Sequence, residues 1–231
     1  MPAELHIIDG WRGVLVEAGL DTLAGVMRTN GGTCVSHHVR GQAYRIVLAD
    51  GRVIFLKRDC AVMVKDILAD LWRLRRPEPP CINELRAIRA VGRLGVAVPE
   101  VVAWGQRRRA GLPSIAALVT RPLAGMPVDE FLQASPPESE RHAAMHAAGV
   151  AVAKIYASGL SWPDLLPKHV FLDGHTVGVL DLARMRPVTL TTPRRMDKQV
   201  LRFCGQLLAV GGDEGDRAAF LNALHGAGRQ L

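Results

Sequence analysis

Apolar residues at helical spacing over 14–28 (Val14, Leu15, Ala18, Leu23, Val26 and Met27) predict a first helix, broken by Gly31-Gly32. The pattern then changes to β character: Thr33–His38, Ala43–Leu48 and Arg52–Lys57 read as strands. Asp50-Gly51 is a strong hairpin signal between the last two. Helical spacing returns over 63–76 and ends in Pro77, Pro79 and Pro80; a further helix is expected over Asn83–Leu94, closed by Gly95. Val96–Trp104 and Ser114–Thr120 predict two more strands, separated by a basic turn at Arg107-Arg108-Arg109-Ala110-Gly111. Past Pro122 the character shifts. A long helix is predicted from about Glu138 to Ser158, then short strands at Val170-Phe171-Leu172 and Val177–Leu180, then helices near 197–210 and 214–226. The expected fold is therefore α+β, with a sheet-rich half over 1–120 and a mostly helical half over 121–231.

Composition narrows the class. A chain of 231 residues, 48% hydrophobic and 22% charged, is long enough for a buried core and unlike a disordered or fibrous chain. No run of 18 apolar residues occurs, so no transmembrane helix is expected, and the first residues lack the pattern of a signal peptide. Cys34, Cys60, Cys81 and Cys204 are scattered with no C-x-x-C, which favours reduced thiols in a cytosolic protein over a disulfide scaffold or zinc cluster. His142 and His146 have metal-ligand spacing, but no third ligand suggests itself. Trp72 and Trp104 are expected to be packing residues.

The charge is uneven. Between Arg73 and Arg121 there are ten arginines and three acids, which accounts for the whole net charge of +7. Such a segment suits an anionic partner, including an anionic membrane surface, or is simply a solvated face. No nucleic-acid reading motif accompanies it, so a nucleic-acid partner is not expected.

Four residues fall in the order a protein-kinase-type phosphotransferase requires. Lys57 ends the apolar strand Val53–Leu56, where an ammonium can reach nucleotide phosphates, and Glu84 on a following helix can pair with it. Asp164 follows a long helix and precedes a short strand, the setting of a catalytic loop, where a carboxylate can accept a hydroxyl proton. Asp181 follows the apolar run Val177–Leu180, a position suited to holding Mg²⁺. Only about sixteen residues separate Asp181 from the helix near Asp197, and no Ala-Pro-Glu occurs, so a peptide-binding platform has no room. A small sugar or lipid headgroup suits the shortened half better.

Longer stretches carry a resemblance. Val64–Pro77, Asn83–Ile88, Leu94–Pro99, the Asp164 loop with His169 five residues on, Leu180-Asp181-Leu182-Ala183-Arg184 and Arg194-Arg195-Met196-Asp197-Lys198 together resemble the lipopolysaccharide kinase family, which includes kinases of inner-core heptose and of Kdo. The similarity spans roughly residues 10–225. It implies an atypical protein-kinase-like bilobal fold, ATP and Mg²⁺ as cofactors, and a sugar hydroxyl of a lipid A–core glycolipid as acceptor. By position it implies Asp164 as base, Asp181 as metal ligand, and Lys57, Glu84, Gly41 and His169 as nucleotide-site residues. Gly41 belongs to the turn Val39-Arg40-Gly41-Gln42, which takes the place of a G-x-G-x-x-G loop.

The chain departs from the family at Trp162-Pro163, where relatives carry His-Arg, and at Ala183, where they carry His. A nucleotide-binding scaffold without turnover, or a kinase of another small molecule, are the alternatives. The reading expects Lys57, Asp164 and Asp181 to meet around a metal–triphosphate between the two halves. It places the protein in the cytoplasm, either free or peripheral at the inner membrane face, with no specific protein partner inferred.

Overall fold

The computed structural model of the chain describes residues 4–38, 41–62, 64–72, 76–188 and 193–227. The chain divides into two compact units, Met1–Arg86 with Pro99–Pro122, and Ala87–Val98 with Leu123–Leu231.

The first unit is built on a six-stranded antiparallel sheet. Its strands are β1 (Leu5–Ile7), β2 (Thr33–His38), β3 (Gly41–Val47), β4 (Val53–Asp59), β5 (Val101–Arg109) and β6 (Leu112–Thr120), in the spatial order β1-β5-β6-β4-β3-β2. Two helices, α1 (Arg12–Glu17) and α2 (Leu23–Arg28), stand where one was expected over 14–28. The chain breaks at Gly19, whose φ of +67° no helix accommodates. Thr22 then caps α2 by accepting the Gly25 N–H at 3.0 Å. Leu15, Leu23 and Val26 pack with Ile54, Leu56, Val102 and Val119 into the core of this unit.

The hairpins follow from their turn residues. At Asp50-Gly51 the Asp50 carboxylate accepts the Arg52 N–H at 3.0 Å, and Gly51 has φ +83°. The expected basic turn at 107–111 is shorter than predicted. Arg107, Arg108 and Arg109 are rungs of β5, and only Ala110 and Gly111 turn, with φ of +48° and +79°. Positive φ at both central residues is the requirement of a tight two-residue hairpin. The unit also contains α3 (Val64–Trp72) and the start of α4 (Pro80–Gly92).

In the second unit, the segment after α4 is extended. Ala97 bridges Gly178 in parallel, accepting from Val179 N at 2.9 Å and donating to Val177 O at 3.1 Å. The strand expected over Val96–Trp104 therefore resolves into this bridge and β5. Three short strands, β7 (Met126–Pro127), β9 (Val170–Asp173) and β10 (Thr176–Val179), pair antiparallel in the order β10-β9-β7. A second pair joins β8 (Leu160–Ser161) to β11 (Arg186–Pro187). The helices are α5 (Val128–Gln133), α6 (Glu138–Ala157), α7 (Pro193–Ala209) and α8 (Glu214–Ala227). Helix α6 packs on α8 at Gly149, where an added Cβ would sit 2.8 Å from Ala223 Cβ and press on the Phe220 carbonyl. The rings of Phe203 and Phe220 pack nearby in a tilted pair, centroids 4.6 Å apart.

All four cysteines are free thiols. Among the described residues no helix is long and apolar enough to cross a membrane.

Candidate functional site

In the first unit the site is organised by β4. Alternation along a strand sends Lys57 to one face and Arg58 to the other. Lys57 Nζ lies 2.6 Å from Glu84 Oε1, with the lysine side chain 32% exposed and the glutamate 5%. Two residues on, Asp59 Oδ2 accepts the Cys81 N–H at 2.7 Å. The strand that carries Lys57 thus caps the first turn of the helix that carries Glu84, and fixes one partner relative to the other. Burial pushes the Asp59 carboxyl above its ordinary value, against the lowering effect of the Cys81 N–H. Burial likewise pushes the Cys81 thiol well up, which makes it an inert structural sulfhydryl.

On the opposite face Arg58 is buried. It donates to the carbonyls of Met27 at 2.8 Å and Thr29 at 2.7 Å, to Gln42 Oε1 at 2.8 Å and to Tyr44 OH at 3.1 Å. These bonds satisfy the last carbonyls of α2 and lock β4 against it. Gly41 stands opposite Asp59 in the β3–β4 register, and a Cβ there would meet the Arg58 carbonyl at 2.8 Å. Val39 and Arg40, the other half of the expected phosphate turn, lie outside the described residues.

In the second unit Asp164, His169 and Asp181 gather around one loop. The Leu165 N–H bonds the Trp162 carbonyl at 3.2 Å, and a 3-10 turn at Pro167–His169 follows. The ring Nδ1 of His169 lies 2.7 Å from the Asp164 carbonyl. A carbonyl only accepts, so Nδ1 carries the hydrogen. In the neutral ring this leaves the Nε2 lone pair free, 3.7 Å from Asp181 Oδ2. His169 therefore touches both acidic residues.

Asp164 has two unlike oxygens. Oδ1 accepts from Arg184 Nη1 at 2.9 Å, whereas Oδ2 is buried with no hydrogen-bond partner. An orphaned buried carboxylate oxygen costs stability, and such atoms concentrate where a ligand or proton is handled. Asp181 adopts φ +59°, in the left-handed region. Its carbonyl accepts from the indole Nε1 of fully buried Trp162 at 3.3 Å. Strained backbone of this kind is a pointer to function. Arg202 bonds the Pro163 carbonyl and ties α7 to the same loop.

The structure thus brings Lys57 to Glu84 and, in the other unit, Asp164 to His169 and His169 to Asp181. Sequence reading missed Arg184 and Arg202, which reach the loop from 20 and 39 residues away. It also misjudged Trp72, expected to pack but 91% exposed. Trp104 is partly buried, stacked on His6 at 5.2 Å.

Asp181 offers a carboxylate oxygen, the ligand type Mg²⁺ prefers, whereas the His169 imidazole is a nitrogen donor that suits a hard cation poorly. A second cluster, His142 with Asp213 and Asp216, reads as structure. Asp213 and Asp216 cap α8 reciprocally at 2.9 and 3.0 Å, and Arg141 already pairs with both carboxylates.

The pattern of the lipopolysaccharide kinase (Kdo/WaaP) family matches residues 27–221. Among solved structures, one described as WaaP in complex with acyl carrier protein is similar, with a TM-score of 0.73 at 21% identity. That match covers 96% of this chain and 88% of the other. A comparison with curated proteins gave no match.

Proposed function

This chain belongs to the lipopolysaccharide kinase (Kdo/WaaP) family, a family of kinases of lipopolysaccharide-core biosynthesis, and on that premise we propose that it transfers the γ-phosphoryl group of ATP to a sugar hydroxyl of a core-type glycolipid, heptose or Kdo. The fold alone does not carry this, since folds host many activities. What supports it is the pair of unlike oxygens on Asp164, one held by Arg184 and one buried and unsatisfied.

In this reading Asp164 Oδ2 accepts the proton of the acceptor hydroxyl. The acceptor oxygen bonds to the γ-phosphorus, the bond from that phosphorus to the β–γ bridging oxygen breaks, and ADP leaves with those electrons. Arg184 keeps the carboxylate from rotating. Lys57 holds nucleotide phosphates, and Glu84 fixes the direction of the ammonium. Gly41, at the start of β3, belongs to the segment that would face the phosphates. Asp181, with His169 beside it, holds Mg²⁺, which when bound neutralises phosphate charge. The protein's share is positioning and electrostatics.

The test compares wild type with Asp164→Asn, Asp181→Asn and Lys57→Met, following labelled γ-phosphate onto a dephosphorylated core oligosaccharide and Mg²⁺-dependent ATP turnover. Each variant is expected to lose about 10²-fold or more. Equal background in all four proteins would instead support a nucleotide-binding scaffold. Turnover without transfer to the oligosaccharide would leave a kinase of another small molecule. The acyl carrier protein in the similar solved structure raises a carrier-protein partner for this chain too, checked by co-purification.

A further inference from the structure

Helix α3 turns an apolar ridge outward. Val64, Leu68, Leu71 and Trp72 fall at i, i+4, i+7 and i+8, one face of a helix, and all four are exposed, Val64 by 69% and Trp72 by 91%. Ile67 alone among the helix's large apolar residues is buried. Eleven large hydrophobic side chains are exposed among the described residues, and four of them sit on these nine positions. The ridge is therefore a patch and not the ordinary scatter of single surface residues.

Positive charge follows the ridge in sequence. The carboxylate of buried Glu78 receives Arg86 at 3.0 Å and Arg108 at 3.2 Å, with Arg76 at 3.9 Å. Three guanidiniums on one carboxylate leave a local excess of two positive charges. Arg76 and Arg86 are mostly exposed, so they remain available to a further anion. Arg76 is four residues past Trp72, which limits their Cα separation to about 14 Å. Arginines also follow Trp72 in sequence at positions 73 and 75.

We propose that α3 docks this protein on an anionic phospholipid bilayer. Trp72, Leu68, Leu71 and Val64 enter the interface, and Arg76 and Arg86 bind lipid phosphates. An exposed Trp/Leu face beside arginines is the composition of an interfacial helix, and a guanidinium meets phosphate in a bidentate fork. An apolar ridge alone would suit a protein partner as well; an exposed tryptophan at its end, with arginines after it in the chain, favours an anionic lipid surface. The inference does not depend on the kinase chemistry.

The experiment mixes the full chain with phosphatidylcholine vesicles, with and without phosphatidylglycerol, and follows co-sedimentation and tryptophan emission. Trp11 and Trp162 are buried and Trp104 partly so, which makes Trp72 the dominant reporter of insertion. Binding and a blue shift are expected only with phosphatidylglycerol, weakening as salt rises. Leu68→Ser with Trp72→Ser lowers the partition coefficient roughly tenfold or more. Arg76→Gln and Arg86→Gln lower it roughly fivefold each. Circular dichroism and melting of the variants serve as folding controls, and their vesicle-free ATP turnover stays at the wild-type level. No binding to anionic vesicles, or undiminished binding by folded ridge variants, overturns the proposal. So does a ridge that is needed to bind an acidic carrier protein but not vesicles.

Discussion

Exchanging the charges of the Lys57–Glu84 pair one at a time gives unequal costs, because the two groups are unequally buried. The carboxylate is 5% exposed and the ammonium 32%, at a separation of 2.6 Å. Lys57→Met leaves a buried carboxylate without its cation. A fully buried pair broken in this way costs about 3–5 kcal/mol, and the partial exposure of the lysine reduces this to roughly 2–3 kcal/mol. Glu84→Gln leaves an ammonium that reaches water and an amide oxygen that still accepts from it, so about 1 kcal/mol is lost. The expected order is Lys57→Met below Glu84→Gln below wild type, with a gap between the variants of roughly 1–2 kcal/mol. The double variant Lys57→Met with Glu84→Leu recovers most of the loss, since removing both charges leaves neither group uncompensated.

Urea unfolding at neutral pH measures these differences. Buried Trp11 reports on the core of the first unit. Phosphotransfer measured in parallel separates stability from chemistry: the double variant is expected to be stable and inactive. If Glu84→Gln proved as destabilising as Lys57→Met, burial would not govern the pair. If the double variant were the least stable of the three, the desolvation argument would fail.

Two other perturbations bear on the framework. Asp59 has its pKa raised by burial, so its contribution to stability is complete below the ordinary value of 3.8 and is lost as pH rises through the raised one; Asp59→Asn keeps an acceptor for the Cys81 N–H without the charge, and urea midpoints are expected to rise relative to wild type between those limits. Gly149→Ala forces α6 away from the Phe220 carbonyl of α8, at a cost of roughly 1–3 kcal/mol, visible as a lower melting temperature with the first unit's Lys57 pair unaffected.

Much of this was readable from local pattern. The Asp50-Gly51 hairpin, the long helix that became α6 and the strands around Lys57 rest on turn chemistry and periodicity, which neighbouring residues express directly. What was missed depends on tertiary partners. Arg107–Arg109 looked like a turn because arginine is a poor marker of strands, yet β5 keeps its ladder with β6, and Arg108 is anchored by Glu78 and the Pro77 carbonyl. The single helix expected over 14–28 overlooked Gly19, where a left-handed residue outweighs apolar spacing. Asp164 and Asp181 were named from their order along the chain and His169 from the family resemblance, but no spacing rule reveals that Arg184 holds Asp164. Trp72 was judged by residue type, and type does not say whether a helix face has a neighbour.

The departure at Trp162 looks different once its surroundings are known. The family resemblance expects histidine at this position, and an imidazole can donate one ring N–H. Tryptophan also has one ring N–H and no acceptor, and here it donates to the carbonyl of Asp181, the residue held at φ +59°. The larger ring is fully buried, so the donor is fixed by packing. Pro163 has no N–H to satisfy, and its carbonyl is taken by Arg202. Trp162 therefore supplies a donor to the Asp181 backbone, and Arg202 brings a cation to the loop. That weighs against reading Trp162-Pro163 as the mark of a dead enzyme, and it moves the question of activity onto the carboxylates of Asp164 and Asp181 themselves.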